Sequence, residues 1–260
     1  MILAILQARL SSTRLPGKVL KPILGMPMLL RQIERVRRAR GIDRLVLATS
    51  DDPSDDAIEK LCRENDIECF RGNLNDVLDR FYQAAKAVKP DYVVRLTGDC
   101  PLIDPEIIDR VICHGIDGKF DYASNTIKPT FPDGLDVEVF RFGCLETSWR
   151  EATLPSQREH VTPFIHQQPG RFKIGNYAGA QNLSHLRWTV DETLDFELIK
   201  QIYESLYPAK PDFDTNDVLA LLDRRPELKT LNTAHERNEG YQRSLAKDVV
   251  HTSHKQEKAS

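Results

Sequence analysis

The chain has 260 residues and a formal net charge of −3. That length suits one large α/β domain or two small ones, and the charge excludes the strongly basic balance of a typical nucleic-acid-binding domain. A fold of this size buries roughly 70–75% of its unfolded surface, so it needs no disulfide or metal staple. Five cysteines (Cys62, Cys69, Cys100, Cys113 and Cys144) form no C-x-x-C pair. Their odd number and irregular spacing predict reduced thiols in a cytoplasmic protein. No apolar run approaches the ~18 residues of a membrane helix, so no membrane partner is expected. The N-terminal apolar run is short for a signal peptide, and Arg9 interrupts it.

Residues 2–6 read as a buried strand, and the loop leaving it is Gln7-Ala8-Arg9-Leu10-Ser11-Ser12-Thr13-Arg14-Leu15-Pro16-Gly17-Lys18. Residues 28–40 predict a helix after Pro27. Its basic end, from Arg35 to Arg40, reads as a solvated C-terminus favoured by the macrodipole. Residues 44–49 form a second strand. Asp52 and Pro53 read as an N-cap and first helical position, opening a helix to about residue 65. A short strand at 68–71 precedes a helix capped by Asn75 that runs to about residue 88. Residues 92–96 are a fourth strand and 105–114 a further helix. This alternation predicts a three-layer α/β/α fold with a mixed, mostly parallel sheet. After about residue 120 the pattern changes. Residues 135–140 alternate with the period of a half-buried strand. Short strands at 172–177 and 186–190 follow, then helices at 194–206 and 215–223. A single domain is expected over residues 1–242, with a ligand-binding half to about 120, a second substrate-binding half over 120–190, and C-terminal helices over 191–242. Residues 243–260 lose periodicity and read as a disordered tail.

The first loop gathers Arg9, Arg14 and Lys18 with the hydroxyls of Ser11, Ser12 and Thr13. Such a loop can hold a run of phosphates through charge, hydroxyls and backbone N–H groups, with Gly17 allowing a tight turn. It lacks the Gly-Lys-Ser/Thr of a Walker loop. The other reading is a solvated basic loop, but ligands of open α/β sheets sit outside the carboxyl ends of strands. Thr97-Gly98-Asp99-Cys100-Pro101-Leu102 follows the fourth strand. Asp99 there suits Mg²⁺, or else caps a turn beside Pro101. Asp191, within Arg187-Trp188-Thr189-Val190-Asp191-Glu192, serves either a metal or the start of the next helix. Two strand-end aspartates beside a basic loop point to metal-assisted transfer on a polyphosphate. Asp136 and Glu138 share one strand face, opposite Leu135, Val137 and Val139. That face is either solvated or binds substrate hydroxyls or an amine, and Gly134 favours close approach of a ligand. Trp188 and Tyr92 read as packing residues.

The segment from Ala8 to Lys18 resembles the signature of the sugar-acid cytidylyltransferases. Ala48-Thr49-Ser50-Asp51-Asp52, Thr97-Gly98-Asp99-Cys100-Pro101-Leu102 and Val190-Asp191-Glu192-Thr193 occur in the family's order. Phe131-Pro132-Asp133-Gly134-Leu135-Asp136-Val137-Glu138-Val139 and Arg158-Glu159-His160-Val161-Thr162-Pro163 are similar to the spore coat polysaccharide (SpsF) branch of that family. The resemblance implies a GT-A-like nucleotide-diphosphosugar transferase fold. It implies attack of an acceptor oxygen on the α-phosphorus of CTP, with Mg²⁺ as cofactor and pyrophosphate released, in surface polysaccharide synthesis. It makes residues 1–120 the nucleotide-binding half and 120–190 the acceptor-binding half. It assigns catalysis to Arg9, Lys18, Asp99 and Asp191, with Asp99 and Asp191 as metal ligands. It places Ala8, Arg9, Ser12, Arg14, Lys18, Arg71, Gly72, Arg80, Thr97 and Asp99 around the nucleotide. Asp133, Asp136, Glu138, Glu159 and His160 then face an anionic sugar-like acceptor. A homodimer is also implied. Two positions depart from the family: Thr97 replaces the usual glutamine or asparagine, and Cys100 replaces a frequent glutamate. The competing reading is a GT-A glycosyltransferase with a nucleotide-sugar donor. Such enzymes usually carry Asp-x-Asp, whereas Asp51-Asp52 and Asp55-Asp56 are adjacent pairs.

Overall fold

The computed structural model describes residues 1–232, Arg237 and residues 239–259, with side chains as far as Val249. Strand β1 (Ile2–Gln7) buries its four inner residues on both faces. Ala4 and Leu6 enter one core and Leu3 and Ile5 the other, the two-residue period of a central strand. Strands β4 (Arg44–Ser50) and β6 (Tyr92–Thr97) flank β1 in parallel, and β5 (Glu68–Gly72) extends the sheet beyond β4. On the other side, β8 (Glu138–Arg141) runs antiparallel to β6 and to β7 (Tyr122–Ser124), and β9 (Ile174–Asn176) runs parallel to β7. The seven-stranded order is β5-β4-β1-β6-β8-β7-β9. A small ribbon, β2 (Pro22–Ile23) with β3 (Met26–Pro27), stands apart from it.

Helices α1 (Met28–Val36), α2 (Asp56–Glu64), α4 (Pro105–Asp117), α8 (Thr193–Leu206) and α9 (Thr215–Arg224) contribute to the first core, through Leu29, Ile58, Ile108, Ile199 and Leu221. Helices α3 (Val77–Lys86), α5 (Phe142–Glu151) and α7 (Pro163–His166) cover the second, through Phe81, Leu145 and Ile165. Each such fully buried side chain contributes about 1.5–3 kcal/mol relative to exposure. The expected three-layer, mostly parallel arrangement is therefore the observed one. Asp104 accepts from the Glu106 N–H at 2.9 Å and opens α4 just before Pro105. Its other oxygen accepts from the Thr215 N–H at 2.9 Å and sets the start of α9. Helix α3 is capped by Asp76, which accepts from the Asp79 N–H at 2.9 Å, and not by Asn75. The Asn73 side chain turns the preceding loop and draws Asn75 out of the capping position.

Other expectations are corrected. Residues 186–190 are not a sheet strand: Arg187 makes a single parallel bridge, to Asp133. Residues 142–166 fold as α5, α6 (Pro155–His160) and α7, short helices that the strand alternation did not reveal. Arg35 is 2% exposed rather than solvated. Its guanidinium donates to Ile103 O at 2.8 Å and Phe213 O at 3.0 Å and lies over the Phe213 ring. The expected disordered tail is instead helix α10 (Glu239–Ala259). It docks through polar contacts such as the buried Ser244, which leave no apolar stripe to read in the sequence. The five cysteines are free thiols. Among the described residues, no helix is long and apolar enough to cross a membrane.

Candidate active site

The parallel register aligns Gln7 with Thr97, so the loops leaving β1 and β6 start side by side. The Gly98 N–H donates to Gln7 O at 2.8 Å. A Cβ on Gly98 would lie 2.9 Å from the Ala8 Cβ, so only glycine permits this approach. Between the loops opens a cleft of about 780 Å³. The first loop is preset by the buried Asp55, which accepts from the Leu10 N–H at 2.7 Å and the Ser50 N–H at 3.1 Å. Ser12 accepts from the Leu15 N–H at 3.3 Å. Arg9 is exposed at the cleft and Arg14 half-buried.

Lys18 is the centre of the site. Its side chain is 10% exposed. The ammonium donates to Val190 O at 2.6 Å and Asp191 Oδ1 at 2.8 Å, and reaches Asp99 Oδ2 at 3.4 Å. Burial disfavours its charge, yet the two aspartates raise its pKa above the ordinary lysine value. Burial pushes Asp99 up, but Lys18 and the Thr97 hydroxyl, which donates at 2.6 Å, hold it below the usual carboxylate range. Asp191 also pairs with Arg14 at 2.9 Å and Arg187 at 3.3 Å. Asp99, just past the end of β6, and Asp191, which follows no sheet strand, therefore converge on the Lys18 ammonium. Burial raises the Cys100 thiol well above its ordinary value, which makes it inert as a nucleophile.

The two carboxylates beside Lys18 are a donor set that suits a hard divalent cation. Mg²⁺ takes one or two carboxylates with phosphate oxygens and water. No group of three or more acidic, histidine or cysteine ligands is gathered among the described residues, so the protein offers no closed cage.

Arg80 is 1% exposed and lines the cleft near Arg9. Its Nη1 donates to Asn73 O at 3.0 Å, while its buried Nε has no acceptor among the described residues. Burial first, then Arg9, lowers its pKa to about 10. Thr97 and Ala8 also line the cleft. Arg71 and Gly72 do not. The Arg71 guanidinium is committed to Ser50 O, Asp52 O, Asp56 and Glu59.

The strand expected over 135–140 begins only at Glu138, so Asp136 lies in the segment before it, yet these acidic residues are not solvated. Asp133 pairs with Arg187 at 3.2 Å, Asp136 with Arg237 and Glu138 with Arg95. Arg95 and Glu138 are opposite one another in the β6–β8 register. Glu138 also accepts from Tyr122, at 2.7 Å, and from Thr162. Burial pushes Glu138 up, but Arg95 and these hydroxyls hold it below its ordinary value. Asp136, with Arg237 only partly offsetting burial, is pushed up to about 7. Gly134 stands at φ 109°, and a Cβ there would lie 2.5 Å from Thr189 N. What approaches it closely is this chain's own backbone, not a ligand.

Glu159 and His160 lie on the far wall. The Ser244 hydroxyl of α10 donates to Glu159 at 2.8 Å and lies 2.9 Å from His160 Nε2. Burial, then Arg95, lowers His160 to about 4. Between His160 and Thr162, Val161 adopts φ 71°, a strained state for a β-branched residue. Sequence reading missed Arg95, Arg187, Arg237, Tyr122, Thr162 and α10. An arginine inside the apolar run Tyr92-Val93-Val94-Arg95-Leu96 was the available signal, because a buried guanidinium needs acceptors, a carboxylate or backbone carbonyls, brought to it by the fold.

An open, mostly parallel sheet with a basic loop and Asp99 at its carboxyl end suits a phosphate-bearing ligand, and the family that the chain matches is one of nucleotidyltransferases. The cytidylyltransferase family model matches residues 3–223, and the chain belongs to that family. It is 37% identical over 236 residues to the spore coat polysaccharide biosynthesis protein SpsF of Bacillus subtilis, covering 88% of this chain and 97% of that one. It is 36% identical over 236 residues to an uncharacterized protein of Methanocaldococcus jannaschii, covering 89% of this chain and 94% of that one. A cytidylyltransferase structure from Leptospira borgpetersenii superposes with a TM-score of 0.84 at 31% identity, covering 90% of this chain and 99% of that one. A CMP-2-keto-3-deoxy-manno-octonic acid synthetase complexed with CTP shares the fold, with a TM-score of 0.62 at 20% identity, covering 78% of this chain and 98% of that one.

Proposed function

We propose that this enzyme transfers CMP from CTP to an oxygen of an anionic sugar-like acceptor, releasing pyrophosphate, in surface polysaccharide synthesis. The observation that carries the reading is the convergence of Asp99 and Asp191 on the Lys18 ammonium beneath the basic loop. Arg9, Arg14, Lys18 and Arg80 bind the triphosphate by charge-assisted hydrogen bonds. On this reading Arg9 and Lys18 meet the charge that develops on the leaving pyrophosphate. Asp99 and Asp191 would hold a divalent cation, Mg²⁺ on this reading, which when bound would neutralise phosphate charge and acidify the acceptor hydroxyl. No separate base is needed on this reading, and the buried His160 is neutral near pH 7. The assignment of an acid acceptor and polysaccharide synthesis draws on the names of the relatives.

The test is pyrophosphate release by the purified chain with Mg²⁺, each of the four ribonucleoside triphosphates and a panel of sugar acids, sugar phosphates and phosphonates. Release is expected only with CTP and an acceptor. Arg9→Ala is expected to lower kcat/KM for CTP by about 1.5–3 kcal/mol, the worth of a charged contact. Equal use of ATP, or no release with any acceptor, refutes the proposal.

A further inference from the structure

The family match ends at residue 223, but the cleft does not. Its outer wall is α10, through Tyr241, Arg243, Ser244 and Lys247. The helix is fastened to both rims. On the phosphate-loop side, Glu239 pairs with Arg14 at 3.3 Å. On the other side, Ser244 donates to Glu159 at 2.8 Å, and Asp248 accepts from the Ser156 N–H at 2.9 Å. The Tyr241 ring stands edge-on to His160 at 5.0 Å.

Elsewhere in the cleft, Asp133, Asp136 and Glu138 each already have an arginine. The cations of α10 are differently placed. Arg243 and Lys247 are four residues apart, so they project from one helix face. Their side chains are 60% and 62% exposed, and they pair at 3.4 Å with Glu239 and Glu159. Long, exposed pairs of this kind are weak, so giving them up to a ligand anion in the cleft costs little.

We propose that Arg243 and Lys247 form a two-cation fork that docks the ionised group of the acceptor, a carboxylate or a phosphoryl group, and so select an anionic acceptor. The proposal rests on the cytidylyl-transfer reading and assigns acceptor choice to a helix beyond the family's shared core. CTP binding does not depend on the fork.

The test is calorimetric titration of the full chain with CDP present. The probes are 3-deoxy-manno-octulosonate, its carboxamide and glucose 1-phosphate, and CTP is titrated separately. The proteins are wild type, R243Q/K247Q and the charge-preserving R243K/K247R. Wild type is expected to bind at least one anion at least about tenfold more tightly than the carboxamide, and the anion bound identifies the group. R243Q/K247Q loses that preference and R243K/K247R keeps most of it, while CTP affinity stays within about twofold in both. The proposal is overturned if wild type does not prefer an anion to the amide, including binding none of the probes. It is equally overturned if R243Q/K247Q binds the anion as wild type does, or if it loses CTP affinity in parallel. Failure of the cytidylyl-transfer reading shows separately, as wild type that fails to bind CTP or to release pyrophosphate from it.

Discussion

Lys18→Met tests the centre of the site. The ammonium lies 2.8 Å from Asp191 and 3.4 Å from Asp99. At an effective dielectric near 20, these separations correspond to gross attractions of about 6 and about 5 kcal/mol. Desolvating the lysine offsets much of this. Removing one partner of a buried pair typically costs about 3–5 kcal/mol. Here Asp191 keeps Arg14 and Arg187, and Asp99 keeps Thr97, so we expect a loss of about 2–3 kcal/mol. The loss is pH-dependent. In the wild type Asp99 lies below its ordinary value, so its contribution is present at pH 7 and fades as pH falls through the carboxylate range. Without Lys18, burial pushes the carboxyl up, and the variant regains stability as protonation relieves it. The gap between the proteins is therefore widest at pH 7 and narrows toward pH 4. Urea unfolding in EDTA at several pH values measures it. A gap below about 1 kcal/mol, or one that does not change with pH, refutes the electrostatic account.

Asp99→Asn and Asp191→Asn are expected to keep the fold and lose most Mg²⁺-dependent pyrophosphate release, because the amide keeps the shape without the charge that holds a hard cation. Wild-type activity that survives EDTA contradicts this. Gly134→Ala places a Cβ 2.5 Å from Thr189 N at φ 109°, and thermal unfolding is expected to show a loss above about 2 kcal/mol. His160 sits near 4 in the folded state. The unfolded chain takes up its proton first, so this group's stabilisation is complete above about pH 6.5 and is lost as pH falls toward 4. His160→Gln is expected to flatten that limb by up to about 3 kcal/mol in chemical denaturation, and parallel curves for the two proteins refute the assignment.

The first half of the molecule was legible because its signals are local. Apolar runs announced β1, β4 and β6, and Asp52 before Pro53 marked a helix start, where the Asp52 side chain accepts from the Ser54 N–H. The basic loop and Asp99 could be placed together because parallel strands bring their carboxyl ends to one edge. Asp191 could be nominated, but the strand expected before it does not form: Trp188, Thr189 and Val190 are buried, and residues 186–190 are hydrogen-bonded to Asp133 and Asp99 without joining the sheet. The partners of the acidic face also lay beyond sequence reading. Arg95, Arg187 and Arg237 come from distant parts of the chain, and the Arg95–Glu138 pair depends on β6 meeting β8 antiparallel. Helix α10 was missed for a related reason. It is held by hydroxyls, carboxylates and one aromatic edge rather than by an apolar stripe. Local sequence determined the strand-end loop, its charge and the type of each early element, because backbone propensity and apolar period act over a few residues. Only the tertiary structure decided which buried charge meets which, because desolvation is relieved by whichever opposite charge the fold brings within reach.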